Sequence, residues 1–296
     1  MKGNDGNRGG AIGWALAAIV LWGTLAAAVG DALAGVRAST LVLWCLIFAA
    51  PTLLLWEVAF RRRTLAQIFA APPHVVALGL LGIFGYHALL FAALELAPIV
   101  EANLLNYLWP LLIVLLSPLI ARERVSPLVL VGSVVGFAGA AVVVTQGKRP
   151  ELASSDAFGY LLALLAAFAW STFSLFLKRI GPAGENRMAL FTLWSLGAAI
   201  VWALAADGLV VPPQRALIAA GWVGVGPMAL AFVCWERAMT RGRASTIGAL
   251  SYLDPLLSTL CVGWALSKPL TGATWVGMAL IVAGAALAPI LARRRD

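Results

Sequence analysis

The sequence predicts an all-α polytopic membrane protein, and three observations carry that prediction. Of the 296 residues, 62% are hydrophobic and only 11% are charged, whereas a soluble domain carries about 25% charged residues. The apolar residues form continuous runs, as in transmembrane helices, and do not alternate with polar ones as in barrel strands. The basic residues are concentrated in the short polar gaps between those runs. We therefore expect lipid to be the solvent around most of the chain.

Ten apolar runs are long enough to cross a bilayer as helices, which takes about 20 residues each. The gaps between them are short and rich in proline and charge, so they leave no room for a soluble domain. We therefore predict a single transmembrane domain over residues 1–296. The predicted spans, numbered 1 to 10, are 12–30, 39–60, 75–94, 99–120, 126–145, 159–177, 188–206, 216–235, 244–265 and 271–291.

The polar start of the chain, MKGNDGNRGG, runs into span 1 without a processing site, so no secretory signal is predicted. The three cysteines, Cys45, Cys234 and Cys261, lie inside spans and form no CxxC motif. We read them as packing residues, because an odd number without such spacing favours neither disulfides nor zinc. No metal and no cofactor is predicted.

The positions of the 21 lysines and arginines predict the topology. With ten alternating spans, five of them fall on one side, and the remaining 16 share the side of the N-terminus. Basic residues accumulate in cytoplasmic loops, so both termini are predicted to be cytoplasmic. The net charge of +8 then indicates contact with anionic membrane lipids and no nucleic-acid partner. The five are Arg37, Lys148, Arg149, Arg215 and Lys268.

The second half of the sequence matches the first when it is shifted back by about 145 to 148 residues. The repeats cover about 11–147 and about 156–292. Each repeat contains five spans, an odd number, so the second is inverted relative to the first. Inverted repeats are typical of secondary transporters, whose substrate site lies near the midplane between the repeats. The matches are LAAFAW (165–170) with AAIVLW (17–22), SYLDP (251–255) with NYLWP (106–110), LSKPLT (266–271) with IARERVS (120–126), and VGMALIVAGAA (276–286) with VGSVVGFAGAA (131–141).

Several short motifs carry a family resemblance: LWGT in span 1, WSTFSLFLKR in span 6 and ARERVSP after span 4. With them, nearly the whole chain resembles the EamA-type branch of the drug/metabolite transporter superfamily. Residues 100–112 and 251–258 are similar to the bacterial exporters of aromatic amino acids. The resemblance implies an amino acid substrate and the bacterial plasma (inner) membrane. One departure is Lys268, which stands where the repeat would ordinarily carry a glutamate like Glu123.

Polar side chains at membrane depth are candidate substrate contacts, because each costs a few kcal/mol at a helix centre. On an unbroken helix with 100° per residue, Asn103, Asn106, Tyr107 and Pro110 lie within about 100° of one another. Glu101 lies on the opposite side, near the outer end. Trp109 is predicted to brace a neighbouring helix and not to contact substrate.

Span 9 repeats this pattern, with Ser251, Asp254, Pro255 and Ser258 on one stripe. Asp254 is the leading candidate to pair with a substrate ammonium or to titrate during transport. A proline frees the carbonyl one turn earlier, so Pro110 and Pro255 add acceptors at Asn106 and Ser251.

We predict that spans 3, 4, 8 and 9 form the cavity. The alternatives are that Asn106 only bonds between helices, that His87 is a packed histidine, and that Glu101 sits in water. The predicted substrate contacts are Tyr86, His87, Asn106, Tyr107, Trp170, Ser251 and Asp254; those for coupling or gating are Glu101, Asp254, Pro110 and Pro255.

The leading function is export of aromatic or other apolar amino acids by alternating access, in a monomer. The transporter class follows from the repeat, and the amino acid substrate from the resemblance. Within transporters, the alternative is another small metabolite or drug, such as a purine, a nucleoside or a cationic compound. A membrane-embedded lipid-modifying enzyme is a remote alternative, because the chain has no HExxH, GxSxG or CxxC motif. Proton coupling and facilitated diffusion both stay open.

Overall fold

The structure, a computed structural model, describes residues 3–25, 35–180, 187–265 and 270–292. Those residues are almost entirely helical. The α-helices are Gly3–Gly23, Ala38–Leu55, Leu65–Phe69, Pro73–Leu80, Tyr86–Leu96, Ile99–Asn106, Trp109–Ile120, Pro127–Thr145, Ala157–Ile180, Met188–Ala206, Gln214–Val225, Ala231–Arg241, Ala244–Leu250, Leu253–Ala265 and Gly272–Ala292. Three π-helical segments, Trp56–Phe60, Leu81–Gly85 and Gly226–Leu230, and a short 3₁₀ turn, Ser154–Asp156, complete them.

Eight helical stretches within the described residues are long and apolar enough to cross a membrane. They coincide with predicted spans 2 to 9. Two shorter apolar helices, Gly10–Gly23 and Gly272–Leu287, occupy the positions of spans 1 and 10. Many large apolar side chains lie on the outside of the bundle, for example Leu119 at 76% exposure and Trp264 at 88%. An apolar outer surface of this kind is what a helical bundle surrounded by lipid requires.

The predicted unbroken spans 4 and 9 are each interrupted. In span 4, one helix ends at Asn106 and the next begins at Trp109. Span 9 is interrupted at Ser251 and Tyr252. A proline follows each break, because its ring and missing N–H are tolerated in the first turn of a helix but not in its interior. The sequence pattern of two prolines at membrane depth therefore marks two helix starts.

The π-helical segments of spans 3 and 8, Leu81–Gly85 and Gly226–Leu230, stand 145 residues apart, as SYLDP and NYLWP do. A π-helical turn inserts one extra residue into the helix and redirects the side chains that follow it. Tyr86 and His87 come directly after the first segment, and Phe232 follows the second.

Spans 5 and 10 pack backbone to backbone along a stripe of glycines. A Cβ at Gly132 would lie 2.7 Å from the Gly284 carbonyl oxygen, and one at Gly139 would lie 2.6 Å from that of Gly277. The pairing of the earlier glycine of one helix with the later glycine of the other shows that the two helices run antiparallel. Such close contact replaces the hydrophobic effect, which does not drive helix association inside lipid.

The bundle has two polar faces. The first, called the basic face below, contains the helix ends near residues 60–64, 120–124, 178–180, 187–188 and 241–245. There Lys178 Nζ lies 3.1 Å from Glu123 Oε1, and Arg237 lies over the Trp14 ring. On the opposite face, Arg37 Nε lies 3.3 Å from both Glu95 Oε1 and Asp207 Oδ1.

Candidate functional site

A cavity of about 260 Å³ lies among predicted spans 1, 3, 4, 6, 8 and 9. Its wall contains spans 3, 4, 8 and 9 as predicted, and also the aromatic residues Trp22 of span 1 and Trp170 of span 6. Six residues predicted to contact substrate line this one cavity: Tyr86, His87, Asn106, Tyr107, Trp170 and Asp254. Their role in binding stays a prediction, whereas their convergence is a property of the fold.

Ser251 does not line this cavity. Its side chain is fully buried, and its hydroxyl donates to the carbonyl oxygen of Ile247 at 2.9 Å, one turn earlier in its own helix. The stripe expected on span 9 assumed an unbroken helix, but the turn at Ser251–Tyr252 separates Ser251 from the helix that carries Asp254 and Ser258. We therefore leave Ser251 out of the proposed substrate contacts.

Two acceptor oxygens on the cavity wall lack a partner. Asn106 is only 5% exposed and its Oδ1 has no hydrogen bond, while its Nδ2 reaches Tyr86 Oη at 3.5 Å. Asp254 Oδ1 is likewise buried without a partner. The Asp254 carboxylate is close enough to interact electrostatically with Tyr86 and Tyr107. Buried polar atoms normally find partners, so two unpartnered acceptors in one cavity indicate a place for a donor from a ligand.

Aromatic rings close the cavity toward the basic face. Four indoles, called the tryptophan cluster below, contact one another with ring centroids 5.2 to 6.5 Å apart. Two of them are fixed by hydrogen bonds. Trp22 Nε1 donates to the Pro227 carbonyl at 3.0 Å, and Trp235 Nε1 donates to Ser174 Oγ at 2.9 Å. Most of the ring contacts are edge-to-face, so the cluster is a preformed apolar surface of crossed rings. Its members are Trp22, Trp109, Trp170 and Trp235.

Trp109 departs from the prediction made from sequence. It was expected to brace a neighbouring helix, yet it lines the same cavity as Asn106 and is 4% exposed. Three residues at 100° each bring Trp109 within about 60° of Asn106, so the two side chains can share one wall.

His87 is held in one orientation. Its Nδ1 lies 2.6 Å from the carbonyl oxygen of Ile83, so Nδ1 carries the proton and donates it. That carbonyl belongs to the π-helical segment Leu81–Gly85, which explains why it is available to a side chain. While the ring is neutral, Nε2 is an acceptor.

Two ring pairs join matching positions of the two halves. Trp22 contacts Trp170 with centroids 5.8 Å apart, and His87 contacts Phe232 at the same separation. Sequence reasoning assigned no site role to Trp22 or Phe232. A signal existed for Trp22, because it already matched Trp170 in the repeat. Phe232 gave none, because phenylalanine at membrane depth is ordinary.

Of the four residues predicted for coupling or gating, Asp254 lines the first cavity, whereas Glu101, Pro110 and Pro255 do not. The Pro110 carbonyl oxygen packs against Gly248, and the Pro255 carbonyl oxygen accepts from Thr259 at 2.8 Å. Glu101 lies on the opposite face, where its Oε1 accepts from the backbone N–H of Glu151 at 3.3 Å. It borders a second, open cavity of about 560 Å³ and not the first one.

Glu123 links the two halves at the basic face. Its carboxylate accepts from the backbone N–H groups of Ala244 and Ser245, at 3.0 and 3.3 Å, where the first helix of span 9 begins. It also pairs with Lys178, which in turn donates to the Gly242 carbonyl. We call these contacts the Glu123 latch. Lys268, the position that matches Glu123 in the repeat, lies outside the described residues.

No group of three His, Cys, Asp or Glu side chains among the described residues could hold a metal ion. The lining of the first cavity offers aromatic faces, neutral hydroxyl and amide groups, one imidazole and one carboxylate.

The chain is similar to proteins of known class over nearly its full length. The model of the EamA-like transporter family matches residues 9–145 and again residues 157–289. The aromatic amino acid exporter YddG of Ancylobacter novellus is 35% identical over 282 residues, which are 94% of this chain and 96% of that protein. YddG of Salmonella typhimurium is 27% identical, over 66% of this chain and 69% of its own length.

A solved crystal structure with 34% sequence identity superposes with a TM-score of 0.89, covering 97% of this chain and 99% of its own. Both YddG relatives are bacterial proteins named as exporters, in keeping with the predicted inner-membrane location. With two family matches that together span most of the sequence, this chain is a multi-pass membrane transporter that belongs to the EamA-like transporter family.

Proposed function

We propose that the protein exports aromatic and other apolar amino acids across the bacterial inner membrane by alternating access. One observation carries this proposal: a single cavity joins an aromatic wall to two unpartnered acceptor oxygens, Asn106 Oδ1 and Asp254 Oδ1. An aromatic amino acid presents the complementary pair of groups, a flat apolar ring and an ammonium. Relatives named aromatic amino acid exporters support the same substrate class.

The size of the cavity suits one small molecule. Its volume of about 260 Å³ is just below the range of about 300–1,000 Å³ that is usual for drug-sized ligands. A single amino acid fits such a space, as would a purine or a small nucleoside. The size therefore favours one small metabolite over a large drug, and the choice of an amino acid rests on the chemistry of the lining.

In the proposed complex, the ring of the substrate lies against Trp22, Trp170 and Tyr86, where offset and edge-to-face contacts are available. The ammonium lies between Asp254 and Asn106. The carboxylate is held more loosely by neutral donors and by the helix starts at Trp109 and Leu253, whose dipoles favour negative charge.

Alternating access is supported by the different closure of the two sides of the cavity. Toward the basic face, the tryptophan cluster and the Glu123 latch separate the cavity from the helix ends. Residues nearer the opposite face, such as Leu94, Asn103 and Ser258, line the cavity itself. We propose that the conformation described is an outward-facing state. During transport, repeat one (11–147) and repeat two (156–292) rock about the cavity. Both repeats lie in one chain, so we propose a monomer.

The test of the proposed function is a counterflow screen in proteoliposomes, with aromatic amino acids, nucleosides and cationic dyes as separate substrates. We expect saturable counterflow of tryptophan, phenylalanine and tyrosine, and none of nucleosides. Counterflow of a nucleoside with no uptake of any amino acid would overturn the proposed substrate class, while the transporter class would stand.

The proposed ammonium site also predicts a pH dependence with a fixed sign. Protonation neutralises Asp254 and removes its attraction for an ammonium, so binding should weaken as the pH falls. Asp254→Asn should bind more weakly at high pH and lose this dependence. Transport by Asp254→Asn that equals wild type at every pH would contradict the role of Asp254.

An imposed pH gradient distinguishes the two ways in which transport could be driven. Proton exchange would drive accumulation of the substrate, whereas facilitated diffusion would not.

A further inference from the structure

The charges on the cavity wall are unbalanced. Among the described lining residues, Asp254 is the one carboxylate, and none is a lysine or arginine. Some described basic residues near the helix ends have acidic partners outside the cavity, as Arg37 has with Asp207 and Lys178 with Glu123. An amino acid in this cavity therefore meets an anion that matches its ammonium, but no side-chain cation that matches its carboxylate.

The unpartnered polar atoms show the same preference. Asn106 Oδ1 and Asp254 Oδ1 are both acceptors, and both are buried without a donor. An ammonium supplies three donors and can satisfy the two oxygens together, whereas a carboxylate is an acceptor only and can satisfy neither. Charge-assisted hydrogen bonds of this kind are about twice as strong as neutral ones, so the ammonium is the group that the cavity recognises best.

The aromatic wall adds to this preference. Tyr86, Trp22 and Trp170 line the cavity together with Asp254. A cation near the face of an indole or phenol is attracted by the ring quadrupole, and the attraction grows where water is excluded. The wall can therefore hold the ring of a ligand and favour its positive charge at the same time.

We infer that the substrate carboxylate is dispensable, and that the cavity also takes aromatic primary amines, the arylethylamines that have the ring and ammonium of an aromatic amino acid without its carboxylate. This inference rests on the proposed function, because it concerns the same cavity. Loss of the carboxylate removes its repulsion from Asp254 and gives up only contacts with neutral donors and helix starts. The amine therefore binds at least as tightly as the amino acid.

The test compares three indole compounds on the full-length protein: tryptophan, tryptamine, which lacks the carboxylate, and indole-3-propionate, which lacks the ammonium. Binding is measured by calorimetry in detergent, where passage of the amine through lipid does not interfere. Transport is measured as inhibition of labelled-tryptophan counterflow in proteoliposomes. We expect tryptamine to bind and compete at least as well as tryptophan, and indole-3-propionate to bind at least about tenfold more weakly.

The outcomes separate this inference from the proposed function. Binding of tryptophan without tryptamine overturns the inference alone. Binding of neither overturns the proposed function and the inference with it. Equal binding of all three overturns the inference, because recognition would then rest on the indole. These wild-type comparisons need no variant.

A variant pair locates the charge that recognises the amine. Asp254→Asn keeps the shape of the side chain and should weaken tryptamine binding by about tenfold or more. Glu151→Gln removes a carboxylate outside the cavity and should leave tryptamine binding unchanged. Equal affinity of both variants for tryptamine would overturn the assignment to Asp254.

Discussion

Spans 4 and 9 have the same backbone design but supply different chemistry. Each is broken near its middle, and each resumes as a helix with a proline in the first turn, Pro110 in span 4 and Pro255 in span 9. The residue before that proline is Trp109 in one and Asp254 in the other, and both line the cavity. One repeat places an aromatic ring at this point of the wall, and the other places the negative charge.

Under the proposed function, this difference lets two predicted repeats of similar design bind an unsymmetrical molecule. The breaks and π-helical segments shape a space between the halves, while the side chains at matching positions have diverged. Asn106 lines the cavity with an unpartnered oxygen, whereas its counterpart Ser251 bonds to its own helix. Tyr107 lines the cavity, whereas Tyr252 is buried against a separate apolar cluster.

The largest expected effect tests the packing of the two π-helical segments. A Cβ at Gly82 would lie 2.0 Å from Cγ of the fully buried Phe173, so Gly82→Ala should lower the free energy of unfolding by about 1–3 kcal/mol. Thermal unfolding in detergent measures this. The matched variant is Gly226→Ala in the other segment, whose Cβ, apart from its chain neighbours, would meet nothing closer than the Trp222 ring at 3.7 Å. It should cost less than Gly82→Ala, about 1 kcal/mol or less, because its new Cβ meets closely only the ring of Pro227, the next residue. Equal midpoints for both variants would show that the segments do not differ in packing.

The second prediction compares the matching polar positions. Asn106→Ala removes an acceptor for the ammonium and should lower tryptophan affinity about tenfold, which is about 1.4 kcal/mol. Ser251→Ala removes a hydroxyl that bonds within its own helix and should change affinity less than about twofold. Calorimetry measures both. A larger loss in Ser251→Ala than in Asn106→Ala would reverse the assignment of the two positions.

The third prediction concerns the Glu123 latch, by which repeat one holds the start of span 9. Glu123→Gln loses the charge that pairs with Lys178 and weakens the cap at Ala244 and Ser245. We expect local opening to become easier by about 1 kcal/mol, so hydrogen exchange in Ala244–Leu250 should be about fivefold faster. Arg124→Gln, a change of an exposed neighbouring side chain, is the control. Unchanged exchange in Glu123→Gln would remove the latch from the proposed mechanism.

The smallest expected effect compares two tyrosines. Tyr107→Phe removes a hydroxyl from the cavity wall and should lower tryptophan affinity about twofold, as expected for one neutral hydrogen bond to a partly hydrated group. Tyr252→Phe lies outside that wall and should leave affinity unchanged. The same calorimetric titration serves for both, and a loss confined to Tyr252→Phe would place the site elsewhere.

Hydropathy predicts the positions of the helices because lipid imposes a length and a polarity on every span. Six of the predicted contact residues line one cavity. Polar side chains are costly at membrane depth unless they face other helices or a cavity. Ser251 was placed on the cavity stripe because a fixed angle per residue was assumed across a helix break. Trp109 was assigned to a neighbouring helix, although three residues at 100° each bring it within about 60° of Asn106. Phe232 was missed because its position follows from packing between distant spans, which no local pattern records.

The most direct test of the central claim, that the two repeats supply different halves of one site, is a crystal structure with bound 5-bromotryptophan. The anomalous signal of bromine locates the ring without reference to the protein. We predict a bromine peak beside Trp22 and Trp170, with the ligand nitrogen within hydrogen-bonding distance of Asp254 and Asn106. A peak in the second cavity, beside Glu101 and Lys148, with the first cavity empty, would contradict the account.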